Sequence, residues 1–390
     1  MPHHPAKKTM LLLVYLASFL YSFHYALPLY IESSFIAQFL STEEMIGVIF
    51  SIAAIISVVS IFFFPRVLRK FGNYRTTLAI MGLEIATLLS LVAFSIPLVV
   101  VGLFIVHQAL LSLIFLNLDT FVESYSDNQS TGSIRGVFMT VLNIAIAIAP
   151  FLAGLMLTDH DFWKVYLAGA IFMSLCFLVI AKNFKHYIDP QYLVPKFKDT
   201  IKTVLKSHDL HSVIFLHFLL AFFFSWMVIY TPIYLNKHIG IPMSDILSVI
   251  IPVALLPFIF FEAILGRIAD TKLGEKEIVT MGFLLMAVAT MGLSWITSTS
   301  VVVWAVALLI TRIGASAVES MIESYFYKKV GPEEINLVTF MRMVRGSAYI
   351  VGPLLGSLVL SFINFRFLFF TLGIIVLTSI PYTLTIKDTK

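Results

Sequence analysis

Charge is what this sequence has least of. Only 12% of its 390 residues are Asp, Glu, Lys or Arg, against 59% hydrophobic residues and a mean hydropathy of +0.96. Too little polar surface remains for a water-soluble chain of this size, so the solvent it is built for is a bilayer. Cysteine is nearly absent as well. The single Cys176 excludes an intramolecular disulfide and a CxxC metal site, and it reads as a small apolar packing residue. No G-x-x-x-x-G-K-(S/T), H-E-x-x-H or G-x-S-x-G motif occurs, and no polar stretch is long enough to hold an ATPase domain. An enzyme is therefore not expected, nor a cofactor or metal, and any work done must draw on an ion gradient. The net charge of +4 comes without a basic cluster interleaved with exposed aromatics, which leaves a nucleic-acid partner without support.

What is present is a series of apolar runs, each near the roughly 20 residues that span a bilayer as helix. Twelve can be placed, at about 9–31, 42–63, 76–95, 97–121, 134–157, 162–182, 212–235, 244–266, 277–296, 299–323, 335–362 and 365–385. The first follows a basic start but is long for a signal peptide and lacks a small-residue cleavage site, so it reads as a retained helix. An even number of spans puts both termini on one side. Assigning the termini and the even-to-odd loops to one face places 22 of the 26 Lys and Arg residues there. The other face has only Lys164, Lys237 and Arg366, and Arg312 lies within a span. By the positive-inside rule both termini are cytoplasmic, in a cell (inner) membrane.

The chain also repeats itself. Asp119–Tyr125 reads DTFVESY and Glu319–Tyr325 reads ESMIESY, at an offset of 200 residues. Pro28-Leu29-Tyr30-Ile31 recurs as Pro232-Ile233-Tyr234-Leu235, and Arg135-Gly136 as Arg345-Gly346. Common order and offset point to two homologous membrane halves. The expected organisation is a six-helix bundle over 1–182, a cytoplasmic linker over 183–211, and a second six-helix bundle over 212–390. Pro190 and Pro195 break helix in the linker, and FKDTIKTVLK after them has the spacing of an interfacial helix.

With these features together the chain resembles the major facilitator superfamily over essentially its whole length. Gly266-Arg267-Ile268-Ala269-Asp270-Thr271-Lys272-Leu273-Gly274-Glu275-Lys276 is similar to the family's cytoplasmic G-x-x-x-D-(R/K)-x-G-(R/K)-(R/K) loop, with one extra residue between Asp270 and Gly274. The equivalent first-half loop keeps Lys70, Gly72 and Arg75 but has Pro65 in place of Gly and Arg69 in place of Asp. Ala145-x-x-x-Ala149-Pro150-x-x-Ala153-Gly154 is similar to the pattern of the antiporter subfamilies, echoed by Ala348-x-x-x-Gly352-Pro353-x-x-Gly356-Ser357. The resemblance implies an all-α integral membrane protein, with twelve transmembrane helices in two pseudo-symmetric bundles. It also implies alternating access about a central pathway lined by the first, fourth, seventh and tenth spans. A cytoplasmic gate would draw on Gly266, Asp270, Lys272, Gly274, Arg135, Arg69, Lys70, Gly72, Arg75, Glu123, Glu323 and Arg345, with Asp270 facing Arg135. Helix bends are expected at Pro150, Gly154, Pro353 and Gly356.

Ionisable residues inside spans are the best pointers to chemistry, because each costs on the order of 3 kcal/mol at mid-bilayer and must face a cavity or a partner. Arg312, Ser316, Glu319 and Glu323 fall on one stripe of the tenth span, and Gln108, Ser112, Asp119 and Glu123 on the matching stripe of the fourth. Arg312 is the expected substrate contact, paired with Glu319 or Asp119. His24, His107, Gln108, Tyr21, Tyr25, Trp226, Tyr230 and Trp304 are candidate cavity residues, and Glu84, Glu319, Asp119 and Glu262 candidate proton carriers. The reading is a monomeric secondary transporter of a small organic solute, an exporter working by proton antiport, with sodium as the other coupling ion. Two alternatives stay open: a proton-coupled importer of sugars or other nutrients, and a receptor or scaffold that kept the fold without transport.

Overall fold

A computed structural model describes residues 7–125, 131–157, 161–190, 197–261, 274–330 and 335–386. Among the described residues twelve helices are long and apolar enough to cross a membrane, and there is no strand. Each apolar run becomes helix because a bilayer offers no water to backbone N–H and C=O groups, which must then bond within their own segment. In chain order they are α1 Lys7–Ala26, α2 Glu44–Phe71, α3 Asn73–Ala93, α4 Pro97–Ser124, α5 Thr131–Met156 and α6 Phe162–Asn183. The second half supplies α7 His208–Ile233, α8 Met243–Phe260, α9 Glu275–Leu293, α10 Val301–Lys329, α11 Ile335–Leu360 and α12 Phe365–Thr385.

The chain divides into two compact units. One comprises Met1–Ser41 with Ile52–Val194, the other Thr42–Ser51 with Pro195–Lys390. In the first, α1 packs on α4, α5 and α6, while α3 packs on α4 and α6. In the second, α7 packs on α10, α11 and α12, and α9 on α10 and α12, repeating the same neighbour scheme. The amphipathic helix Phe197–Lys206 lies against α7 and α11, burying Thr200 and Val204. Ser207 then starts α7 as its N-cap, accepting from the Leu210 N–H at 3.4 Å.

Small residues set how closely helices approach. Ser51 Oγ donates to Ile350 O at 2.8 Å, and a Cβ on Gly47 would collide with Pro353 O and the Ser357 and Tyr230 hydroxyls. On α11, Gly352 and Gly356 admit the side chains of Ser225 and Tyr230 from α7. Without a hydrophobic drive between helices in lipid, such close packing and hydrogen bonding hold a unit together.

Candidate functional site

The first unit buries an ionisable cluster where hydropathy alone would place only apolar side chains. His24 comes from the C-terminal turns of α1, Glu84 from the middle of α3, His107 from the N-terminal half of α4, and Glu32 from the short helix Glu32–Ile36 after α1. The side chains of His24, Glu84 and His107 are 0% exposed and that of Glu32 is 5% exposed. His107 Nδ1 lies 2.5 Å from Glu84 Oε1, and His24 Nε2 reaches the same oxygen at 3.0 Å. The other ring nitrogen of His107, Nε2, is 3.4 Å from Glu32 Oε1. The order in space is Glu32, His107, Glu84, His24: two carboxylates and two imidazoles in alternation.

The surroundings are apolar and aromatic. The rings of His24 and His107 are 5.8 Å apart edge to face, and Tyr166 of α6 lies 6.3 Å from His107 and 4.7 Å from the tilted ring of Phe35. Gly169 of α6 leaves room beside His24. Several polar atoms here are buried without a hydrogen-bond partner among the described residues, namely Glu84 Oε2, both ring nitrogens of His24, His107 Nε2 and the Tyr166 hydroxyl, so the His24–Glu84 and His107–Glu32 approaches are ion-pair distances and only His107 Nδ1–Glu84 Oε1 is a hydrogen bond. Such a network is costly for a fold to keep, and that cost makes it the candidate site.

Geometry bears on what the cluster could hold. Donor atoms of His24, Glu84 and His107 lie within 4.8 Å of one another, near enough to share a metal ion. Tetrahedral ligands at 2.0–2.2 Å from zinc must stand about 3.3 Å apart, however. The 2.5 Å His107–Glu84 contact is a hydrogen bond, with a proton between the two atoms. An imidazolium at His107 can donate to Glu84 and Glu32 together, because both ring nitrogens then carry hydrogen. Two carboxylates and two imidazoles become electrically neutral on holding two protons, the state that a low-dielectric interior favours.

The other expected residues are distributed as follows. Tyr21 donates to Leu111 O at 2.8 Å and stacks on Tyr25, and the Gln108 amide nitrogen is buried without a hydrogen-bond partner among the described residues. Trp226 Nε1 donates to Gly352 O at 2.6 Å and the Tyr230 hydroxyl to Pro353 O at 2.9 Å, so both rings join α7 to the Gly-Pro segment of α11. Trp304 donates to Ser298 O at 2.7 Å. Arg312 is 4% exposed, with its guanidinium over Phe223 and Phe224 of α7 at 5.3 and 5.4 Å. It is buried within the second unit. Arg345 Nη1 comes within 3.7 Å of Glu319 Oε1, and both arginines act on the Glu319 charge. Glu323 and Glu123 are exposed near the C-terminal ends of α10 and α4, and Asp119 is buried. Pro150 and Gly154 are buried in α5. Glu262, Gly266, Asp270 and Lys272 lie outside the described residues, as does the side chain of Arg135, whereas Gly274 opens α9.

Around the α2–α3 corner the structure supplies a residue that sequence reasoning missed. Arg69, Lys70 and Arg75 are exposed there, and Gly72 has φ +77°. The Asn73 N–H at the start of α3 donates to Asp189 Oδ1 at 2.6 Å, and a Cβ on Gly72 would meet Asp189 Oδ2 at 2.5 Å. A carboxylate thus caps the α3 N-terminus, where the helix dipole favours negative charge, but it comes from the segment after α6. Tyr187 anchors that segment: its ring lies 4.6 Å from Phe121 and its hydroxyl 2.5 Å from Ser124 Oγ, and burial pushes its phenol up to about 12. Glu32 was missed because it sits at the margin of the first apolar run, where a carboxylate normally meets solvent. Two His and a Glu in neighbouring spans were the only signal that could have found the cluster.

Comparison with known proteins agrees with the architecture. Among curated proteins nothing matches. Among solved structures, one of the nucleoside transporter NupG is similar with TM-score 0.73 at 15% identity, covering 96% of this chain and 97% of that one. An auto-inhibited POT family peptide transporter is similar with TM-score 0.77 at 13% identity, covering 98% of each chain. At such identities these likenesses concern the fold. The family model described as Major Facilitator Superfamily matches residues 13–348, and with twelve spans in two units of repeated packing the chain belongs to that superfamily of multi-pass membrane transporters.

Proposed function

We propose that the protein is a proton-coupled secondary transporter of a small organic solute, working as a monomer by alternating access in the cell membrane with both termini cytoplasmic. The observation that carries the coupling is the buried Glu32–His107–Glu84–His24 chain. Imidazole nitrogens bind and release protons, and both carboxylates of the chain lie against them. A conformational cycle that opens this chain to each face in turn moves protons, and charge neutrality in the closed unit makes loading a condition of closure. His107 has a carboxylate on each ring nitrogen, so it can pass a proton by exchanging tautomers.

Substrate contact is assigned to Arg312, a buried cation backed by two phenylalanine rings and suited to an anionic group. Solved relatives of this fold include transporters named for nucleosides and for peptides, and a polar organic solute is in keeping with both. Export by antiport is the favoured direction because Ala149-Pro150 and Gly154 in α5 follow the small-residue and proline spacing of the antiporter subfamilies. The test is reconstitution in liposomes with an imposed pH gradient and a panel of small organic solutes. Solute movement against its own gradient, opposite in direction to proton flow, is expected. Accumulation in the same direction as protons would make it an importer, and solute flux indifferent to pH would sink the coupling.

A further inference from the structure

The α2–α3 corner has a second feature that transport chemistry leaves unused. A cavity of about 690 Å³ opens between the C-terminal half of α2, the first turns of α3 and Leu113 of α4. Its walls are apolar or small, with Val59, Phe63, Phe64, Val67 and Phe71 along α2 and Ala79 and Ile80 on α3. The one charged group in the lining is Arg75. From Phe71 to Val59 is twelve residues of helix, about 18 Å at 1.5 Å per residue. Half of a typical hydrocarbon core is about 15 Å, so the groove has the reach of one leaflet's acyl chain.

The charge sits at one end only. Arg75 has no carboxylate partner among the described residues, and neither have Arg66, Arg69 and Lys70. Two of these cations rest on aromatic rings that line the groove: the Arg66 guanidinium lies 4.9 Å above Phe63 and the Lys70 ammonium 5.1 Å above Phe71. An apolar slot with unneutralised cations at one mouth complements a molecule that is apolar along its length and anionic at one end. We propose that this groove is a binding site for an anionic phospholipid, with one acyl chain between α2 and α3 and its phosphate on Arg75. Basic pockets between membrane helices recognise anionic head groups in this way. The bound chain would add packing to α2, on which Ile52, Ile55 and Ile56 are exposed.

The experiment uses the full-length protein in a neutral detergent, with phosphatidylglycerol, phosphatidylcholine and soluble glycerol phosphate as probes. Thermal shift and retained lipid mass under native mass spectrometry are read for each. Phosphatidylglycerol should raise the apparent melting temperature and remain bound as one adduct, whereas phosphatidylcholine and glycerol phosphate should do neither. Arg75→Gln should weaken phosphatidylglycerol retention about five-fold, the effect of one lost basic contact. Ala79→Trp, which fills the slot, should abolish retention, and Val67→Trp on the opposite wall serves if the first variant does not fold. Equal stabilisation by both lipids, stabilisation by glycerol phosphate alone, or retention indifferent to Arg75→Gln would each overturn the proposal.

Discussion

Replacing Glu84 by Gln is the most informative single perturbation, since its shape is kept and only the charge is lost. In the native cluster one oxygen, Glu84 Oε1, faces imidazole nitrogens of His107 and His24 at 2.5 and 3.0 Å. Removing one partner of a buried ion pair costs about 3–5 kcal/mol when the other must stay charged. Here both imidazoles can give up their protons, so the loss falls toward that of a hydrogen bond to a charged group, about 1.5–3 kcal/mol. The fold should therefore survive at reduced thermal stability while the capacity to hold protons does not. In liposomes with an imposed pH gradient, uphill transport by Glu84→Gln should fall at least about a hundred-fold, the effect of about 3 kcal/mol. Solute exchange without a gradient should persist. His107→Gln should resemble it, and the double variant should be little worse than either single one, because residues acting as a unit are not additive. Uphill transport at the native rate in Glu84→Gln would refute the coupling assignment outright.

Arg312→Lys should lower turnover more than thermal stability, because it keeps the charge but loses the planar group that lies on Phe223 and Phe224; normal substrate affinity and turnover in Arg312→Ala would remove it from the site. Gly72→Ala should cost about 1–2 kcal/mol of stability, since φ there is +77° and its methyl would press on Asp189; an unchanged melting curve would refute the cap. Trp226→Phe should cost about 1 kcal/mol by removing the indole N–H bond to Gly352 O, checked by thermal unfolding. At the mouth of α2, His238 donates to Glu43 at 3.0 Å and, with Lys237, holds its carboxyl below the usual carboxylate range. That contribution is complete above the ordinary carboxylate pKa and is lost as pH falls through the depressed value. Glu43→Gln should therefore flatten the acid side of a stability-against-pH profile, and an unaltered profile would count against the contact.

Sequence by itself determined the solvent, the number of spans and the duplication, because each depends on local quantities. Twenty apolar residues in a bilayer have no option but helix, and the 200-residue echo from Asp119 to Glu319 is written in residue order. The candidate list also held His24, Glu84 and His107, each on the ground that a polar side chain in a span needs a reason to be there. Tertiary structure alone decided that these three meet, and that Glu32, from outside the spans, joins them. Which way a helix is rotated about its axis, and which helix lies beside it, follows from packing of small residues across the whole unit. A single helix of nearly uniform hydrophobicity does not encode that rotation. For the same reason Trp226 and Tyr230 read as cavity walls in sequence but bond to α11, whose glycines admit them. Likewise the first-half loop has Arg69 where the family's pattern has Asp, and the carboxylate at the α3 N-terminus is Asp189, more than a hundred residues along the chain, because a helix N-terminus attracts negative charge from whatever segment the fold brings near.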